Sequence, residues 1–323
     1  GPQSVDVDRA APAVSTFAPI TSDPTAADTV PYELVFDELV MGLTSDDLAF
    51  SGVGDCVLTV SGTEPTDTFT LEATGCSGGE LLLTLAADAV TDVLGNSGPT
   101  MAVEATAITI DRTAPVLTLA TVTTSPTSDP ALLLSISATA DTLDCTTLGP
   151  SDLAITGGTL EAVVALDQAT CELFVTSAVA AGSTGTTAVD VGSAFSAADS
   201  AGNATNALEG TPVSVDVHRS PPTVASFAPT VSDPTAADPV PYSLTFSEPV
   251  SGLTDTNLSA TDVSCTFTVS GTEPTDTWTV EAAGCGDGAL ILTLAADAAT
   301  DGAGNTGPIA AADATTITIN RTA

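Results

Sequence analysis

Three short loops repeat one arrangement of oxygen-bearing side chains. Asp92 and Asn96 stand in TDVLGN, Asp199 and Asn203 in ADSAGN, and Asp301 and Asn305 in TDGAGN. A second set precedes the chain's four arginines. Asp8 comes directly before Arg9 (with Asp6 two residues earlier), Asp111 before Arg112, His218 before Arg219 (with Asp216 two residues earlier), and Asn320 before Arg321. Carboxylates, amide oxygens and the carbonyls of a glycine-bearing loop are hard ligands, and calcium takes six to eight of them. The same residues also have a plainer use. Asp and Asn build turns and Gly supplies left-handed backbone, so DxxGN equally reads as a turn. A neutral Asn320 and His218 weaken a calcium site at their positions, so DRTAP at 111–115 is the strongest of the set.

Other chemistry finds little footing. His218 is the single histidine and cannot serve repeated units, and no Ser or Cys phrase surrounds a nucleophile. Adjacent carboxylates such as Asp37 and Glu38, or Asp46 and Asp47, would point to opposite faces of a strand and not converge. The residues therefore predict no enzyme. The chain has 41 acidic residues, four basic ones and no lysine, a formal net charge of −37. Nucleic acid and anionic membrane surfaces need positive patches, so both are excluded as partners. No stretch is apolar for the roughly 18 residues a membrane helix needs, so no membrane insertion is expected in this segment. Gly1-Pro2 reads as the remnant of a protease cut, and the chain reads as a piece of something longer.

The arginines mark a long period. They stand 103, 107 and 102 residues apart, a spacing of domain size. The text between them confirms a repeat. FAPITSDPTAADTVPYELVF at 17–36 returns as FAPTVSDPTAADPVPYSLTF at 227–246, and VSGTEPTDTFTLEATGC at 60–76 as VSGTEPTDTWTVEAAGC at 269–285. LTLAADAVTDVLGNSGP at 83–99 returns as LTLAADAATDGAGNTGP at 292–308. The expected domains are 1–112, 113–219 (divergent, keeping TSDP and DSAGN) and 220–323 (a close copy of the first).

The cysteines fall two to a unit: Cys56 and Cys76, Cys145 and Cys171, Cys265 and Cys285. Six allow 15 connectivities; pairing within each unit is the simplest. In units one and three they would close the open end of a hairpin, 20 residues apart; in unit two the spacing is 26, so that bond must join a different pair of strands. No CxxC is present to favour a metal, and disulfides point to an oxidising compartment, hence a secreted or cell-surface protein.

Thr, Ser and Val are frequent and no helical period runs along the chain, which favours strands. Tyr32, Leu34 and Phe36 alternate with Glu33 and Val35, the period of a half-buried strand. Unit one reads as seven strands, near 13–18, 31–36, 47–51, 56–61, 67–74, 80–86 and 103–111, with one possible helical turn in LAADAVTD at 85–92. Short strands between turn phrases such as SDPTAAD and SGTEPTD predict a β-sandwich. The matching aromatics Phe17, Tyr32, Phe36 and Phe69, with Phe227, Tyr242, Phe246 and Trp278, are expected in the cores.

The F-A-P opening, TFSEPVSGLTDTNL at 245–258, LTLAADAATDGAGN at 292–305 and the closing TIDRTAP at 109–115 resemble the bacterial Ig-like domains that occur in tandem in large surface adhesins. The resemblance covers nearly all of units one and three and unit two more loosely. It implies an all-β fold of three tandem seven-stranded Ig-like sandwiches in a linear array, each with its termini at opposite ends, and calcium at some junctions. On that fold, the DxxGN loop and the end of the same unit's last strand are expected at one pole. Asp92 and Asn96 would then share a site with Asp111, Asp199 and Asn203 with Asp216, and Asp301 and Asn305 with Asn320, while Asp6 and Asp8 serve the entry to unit one. Each arginine is expected to pair with carboxylates of both neighbouring domains. The function expected first is a monomeric spacer or stalk whose partners are neighbouring Ig-like domains. The alternative is a module that binds a glycan or protein on another surface, with domain 2 as the reader.

Overall fold

The computed structural model describes residues 7–262 and 264–322; Asp6 lies outside them. The described residues form β-strands joined by turns and three single-turn 3₁₀ segments, with no α-helix. Among the described residues no helix is long and apolar enough to cross a membrane.

Unit one runs β1 (Val14–Pro19), β2 (Thr29–Met41), β3 (Leu48–Ser51), β4 (Val57–Ser61), β5 (Thr66–Thr74), β6 (Gly79–Leu85), β7 (Val90–Asp92), β8 (Ser97–Gly98), β9 (Val103–Glu104) and β10 (Ile108–Ile110). One sheet has the order β4-β5-β2-β7-β8, with β1 also paired to β2; the other is β10-β6-β3, with β9 also on β6. Alternation is the reason two sheets form. Tyr32, Leu34 and Phe36 on β2, Phe69 and Leu71 on β5, and Leu81, Leu83 and Leu85 on β6 are at most 2% exposed. Their neighbours in sequence face water, as a period of two requires. Each sheet thus has one apolar face, and the two faces bury one another. Phe17 meets Tyr32, and Phe36 meets Phe69, edge to face at 6.2 and 6.1 Å.

Six of the seven expected strands of unit one appear almost as read. The seventh, 103–111, divides into β9 and β10, which pair with opposite ends of β6. LAADAVTD is not helical. It leaves β6, turns at Asp88 with a φ of 56°, and re-enters the first sheet as β7. The apolar residues on both sides of that turn bury themselves better as strands.

Three clusters of buried residues span Phe17–Ile110, Leu117–Val217 and Phe227–Ile319. Unit three repeats the strand order of unit one's larger sheet. Unit two differs at the edge, where Val116–Thr121 pairs in parallel with Leu208–Glu209.

The disulfides join Cys56 to Cys76, Cys145 to Cys171 and Cys265 to Cys285. The first and third close a hairpin's open end, since Cys56 precedes β4 and Cys76 follows β5. The expectation of a strand-to-strand bond in unit two needs correction. Cys145 sits in a 3₁₀ turn (Cys145–Thr147) and is tied to the strand Thr170–Ser177. The bond therefore joins a turn to a strand and does not close a hairpin.

Candidate metal-binding seams

Each DxxGN loop folds around its own aspartate. Asp92 accepts hydrogen bonds at Oδ1 from the N–H groups of Leu94 and Asn96, both at 2.8 Å. Gly95 then takes a φ of 91°, a conformation that glycine adopts freely. The turn reading of DxxGN is therefore right as far as it goes. It also leaves Asp92 only 2% exposed, with Oδ2 held at 2.7 Å by the amide of Asn96. These bonds, the Asn96 amide foremost, hold the Asp92 carboxyl below its ordinary value. Asp199 with Asn203, and Asp301 with Asn305, repeat the same bonds.

The asparagine reaches out of its unit with the same amide nitrogen. Asn203 Nδ2 donates to the carbonyl of Asp111 at 3.1 Å, Asn305 Nδ2 to that of His218 at 2.7 Å, and Asn96 Nδ2 approaches that of Asp8 at 3.5 Å. The asparagines thus act through their donors, as clamps on the incoming chain, and do not turn an amide oxygen toward the acids as the sequence suggested. Two backbone bonds reinforce the clamp. Ala26 donates to the carbonyl of Ala201, and Ser128 to that of Ala303, both at 3.0 Å. The SDPTAAD loop of unit one and the TSDP loop of unit two therefore each rest on the DxxGN loop of the next unit.

The expected grouping of acids is corrected here. Asp92 and Asn96 do not meet Asp111. Each DxxGN loop lies at the entry of its sandwich, while the closing strand leaves from the opposite end. Asp111 consequently joins Asp199 and Asn203 of the following unit, and Asp92 joins Asp8. Asp216 lies outside these groups, where it accepts from the Thr186 hydroxyl at 3.0 Å across the sheet. His218 stands in the position that Asp216 was expected to fill. Asn320 is at the exit of unit three and accepts a bond from Thr322.

Each group contains a third residue that sequence reasoning passed over. The triads are Asp8, Glu38 and Asp92; Asp111, Asp141 and Asp199; and His218, Glu248 and Asp301. Within each, one ligand atom per residue lies within 4.8 Å of the others. Glu38 is presented by an irregularity in β2, whose pairing with β5 shifts between Val35 and Val40. Glu248 occupies the same shift in unit three, between Thr245 and Val250. Asp141 follows Ala140, whose φ of 59° ends the strand Ala131–Thr139. A signal existed for two of the three: FDELV and FSEPV keep an acid at matching places (Glu38, Glu248). Unit two has no such phrase.

Like charges this close need a counter-charge. Burial first, and then Asp92, Asp8 and Asp37, push the Glu38 carboxyl up from its ordinary value. Burial raises Asp141 as well, with Asp111 and Asp199 adding to it. The arginines do not supply the missing charge. Arg112 turns back on its own unit, donating to the carbonyls of Cys76, Ala26 and Ala27 at 3.0, 3.2 and 3.2 Å, with Asp28 at 3.8 Å. Arg321 repeats this toward Cys285, Ala237 and Asp238, and Arg219 donates to Val179 at 2.9 Å. Arg9 is exposed. The expected pairing of arginine with both neighbours is thus replaced by capping of one unit's exit, where strand-end carbonyls would otherwise lack donors.

No known family profile matches the chain, and no curated protein matches it in sequence. Similar solved structures exist. The adhesin FdeC of Escherichia coli matches over 98% of this chain and 99% of its own, at 14% identity and a TM-score of 0.51. Invasin, a bacterial integrin-binding protein, matches over 88% and 56% at 15% identity and a TM-score of 0.35. InvD of Yersinia pseudotuberculosis matches over 95% and 97% at 11% identity and a TM-score of 0.35. At such identities the likeness shows the fold alone, one of Ig-like β-sandwiches.

Proposed function

We propose that the chain is an extracellular spacer of three Ig-like domains whose seams are stiffened by calcium. One observation carries this reading: an acidic triad stands at the entry of units one and two, the second assembled from two neighbouring units, and neither has an arginine partner among the described residues. An ion held there ties the segment that enters a unit, which at the second seam follows the closing strand of unit one, to an acid at or beyond the unit's long strand (Glu38 or Asp141) and to a buried loop aspartate (Asp92 or Asp199). The donor chemistry fits calcium at the first two seams. Asp8, Glu38 and Asp92 would hold one ion, and Asp111, Asp141 and Asp199 another, with carbonyls and water completing a hard oxygen shell. The ion would cancel the carboxylate repulsion and set the angle between units. Three disulfides and the likeness to an adhesin fold support a secreted or cell-surface setting.

Small-angle scattering and a thermal melt, in calcium and then in EDTA, test the reading. The stiffened spacer gains length and melting temperature with calcium. Three sandwiches of about 35–45 Å each in line set the upper span at roughly 110–130 Å. If neither quantity moves, the acids serve only the turns and hold no ion.

A ligand-binding module is the second reading, and one observation favours it. In unit two, Val164, Leu166 and Phe174 are 47%, 62% and 41% exposed on the hairpin formed by 158–165 and 170–177. Glycan-array binding that is lost in Phe174→Glu would move the function there.

A further inference from the structure

The third seam departs from the other two in a single ligand. Asp8 and Asp111 put a carboxylate beside the incoming strand; the equivalent residue before unit three is His218. Its backbone is fixed from both sides. The N–H donates to the Thr127 carbonyl at 2.8 Å, and the carbonyl accepts from Asn305 Nδ2 at 2.7 Å. That fixes the backbone from which the imidazole reaches the two acids. Its Nε2 lies 3.7 Å from Glu248 Oε2 and 4.0 Å from Asp301 Oδ2. These gaps are too long for hydrogen bonds. They are close to what one shared ion would demand, since a tetrahedral ion with bonds of about 2.1 Å separates its ligands by roughly 3.4 Å. Asp301 is oriented from behind, its Oδ1 held by the N–H groups of Ala303 and Asn305 and its Oδ2 by the Asn305 amide. That is the kind of outer support that metal-ligating carboxylates have.

We propose that His218, Glu248 and Asp301 form a site for a borderline divalent transition ion of the zinc class, distinct in preference from the all-oxygen triads. Calcium is served by oxygen alone, whereas an imidazole nitrogen favours zinc, cobalt, nickel or copper. Three protein ligands leave room for water or a fourth group. The proposal shares the seam geometry with the spacer reading but does not depend on calcium at the first two seams.

The chain has one histidine, so its imidazole can be observed without assignment. The metal-free full chain is titrated with zinc and, separately, with calcium, while the imidazole ¹⁵N resonances are followed; calorimetry gives affinity, and cobalt supplies visible ligand-field bands. His218→Asp recreates the acid of the other seams and keeps the fold testable. The expected result is a shift of the imidazole nitrogen with one equivalent of zinc and none with calcium, and at least a tenfold loss of zinc affinity in His218→Asp. Unmoved imidazole resonances at millimolar zinc overturn the proposal. So does zinc binding of equal affinity in His218→Asp, which would assign the ion to carboxylates alone. Scattering of the same samples in calcium separates the two readings, because zinc at His218 with no calcium response refutes the stiffened first seams and leaves this site standing.

Discussion

Replacing Asn305 by alanine removes a clamp whose two bonds have separate consequences. The first, Nδ2 to Asp301 Oδ2 at 2.8 Å, supports a carboxylate whose side chain is 1% exposed. A hydrogen bond to a charged group contributes about 1.5–3 kcal/mol, and water cannot readily replace it at so buried an atom. The second, to the His218 carbonyl at 2.7 Å, crosses the seam and adds about 0.5–1.5 kcal/mol as a neutral bond. The Ala303 and Asn305 backbone bonds to Oδ1 survive the change, so the loop still closes. The loss of the Asp301 bond alone is expected to cost unit three about 2 kcal/mol, and for a unit of about 100 residues this lowers the melting midpoint by at least roughly 8–16 °C. The assay is built into the chain. Trp278 is the single tryptophan and is 3% exposed in the third core, so its fluorescence follows unit three alone. Asn203→Ala is the matched control: it removes the same two bonds from unit two and lowers a calorimetric transition while leaving the tryptophan melt in place. A tryptophan melt that Asn305→Ala shifts by less than about 2 °C, or that both variants shift equally, would refute the reasoning.

Three further outcomes follow from the same geometry. In chelator, the raised carboxyls of Glu38 and Asp141 keep protons in the folded chain that the unfolded chain releases. Stability should therefore decline as pH rises from their ordinary values, 4.5 and 3.8, through the raised ones. Asp92 acts with the opposite sign below 3.8, and calcium should flatten the upper decline; a melt-versus-pH series with and without calcium reads both. In Gly307→Ala, the new Cβ would lie 2.2 Å from the Pro222 carbonyl oxygen, so the linker must move; scattering should show an altered shape while circular dichroism keeps the strand signal. Tyr32 and Tyr242 bury hydroxyls with no hydrogen-bond partner, and burial pushes both pKa values up to about 12. Tyr32→Phe and Tyr242→Phe should be neutral or stabilising by up to about 1–3 kcal/mol in thermal unfolding; a loss of more than 1 kcal/mol would reveal a partner for the hydroxyl.

The amino-acid sequence by itself determined most strands of unit one, the cores and the disulfide pairs. Alternation at Tyr32, Leu34 and Phe36, and the recurrence of whole phrases between units, are local or nearly local signals. A buried face must be apolar every second residue wherever it folds, so the pattern survives without coordinates. Only the tertiary structure decided the partnership of the acids. Asp111 belongs with Asp199, 88 residues away, because the chain enters and leaves a sandwich at opposite ends, and nothing in either loop's text encodes which pole it occupies. Asp141 became a ligand candidate only through a left-handed alanine, and Glu38, though its phrase recurs at Glu248, reached the seam only through a shifted strand register; both are features of backbone path. The arginines were legible as markers of the seams, yet their direction depended on which carbonyls the folded loops left without donors. Spacing along a chain reports what each segment can become; the charge that a carboxylate feels is set by neighbours that only the packing of one unit on the next brings within a few ångströms.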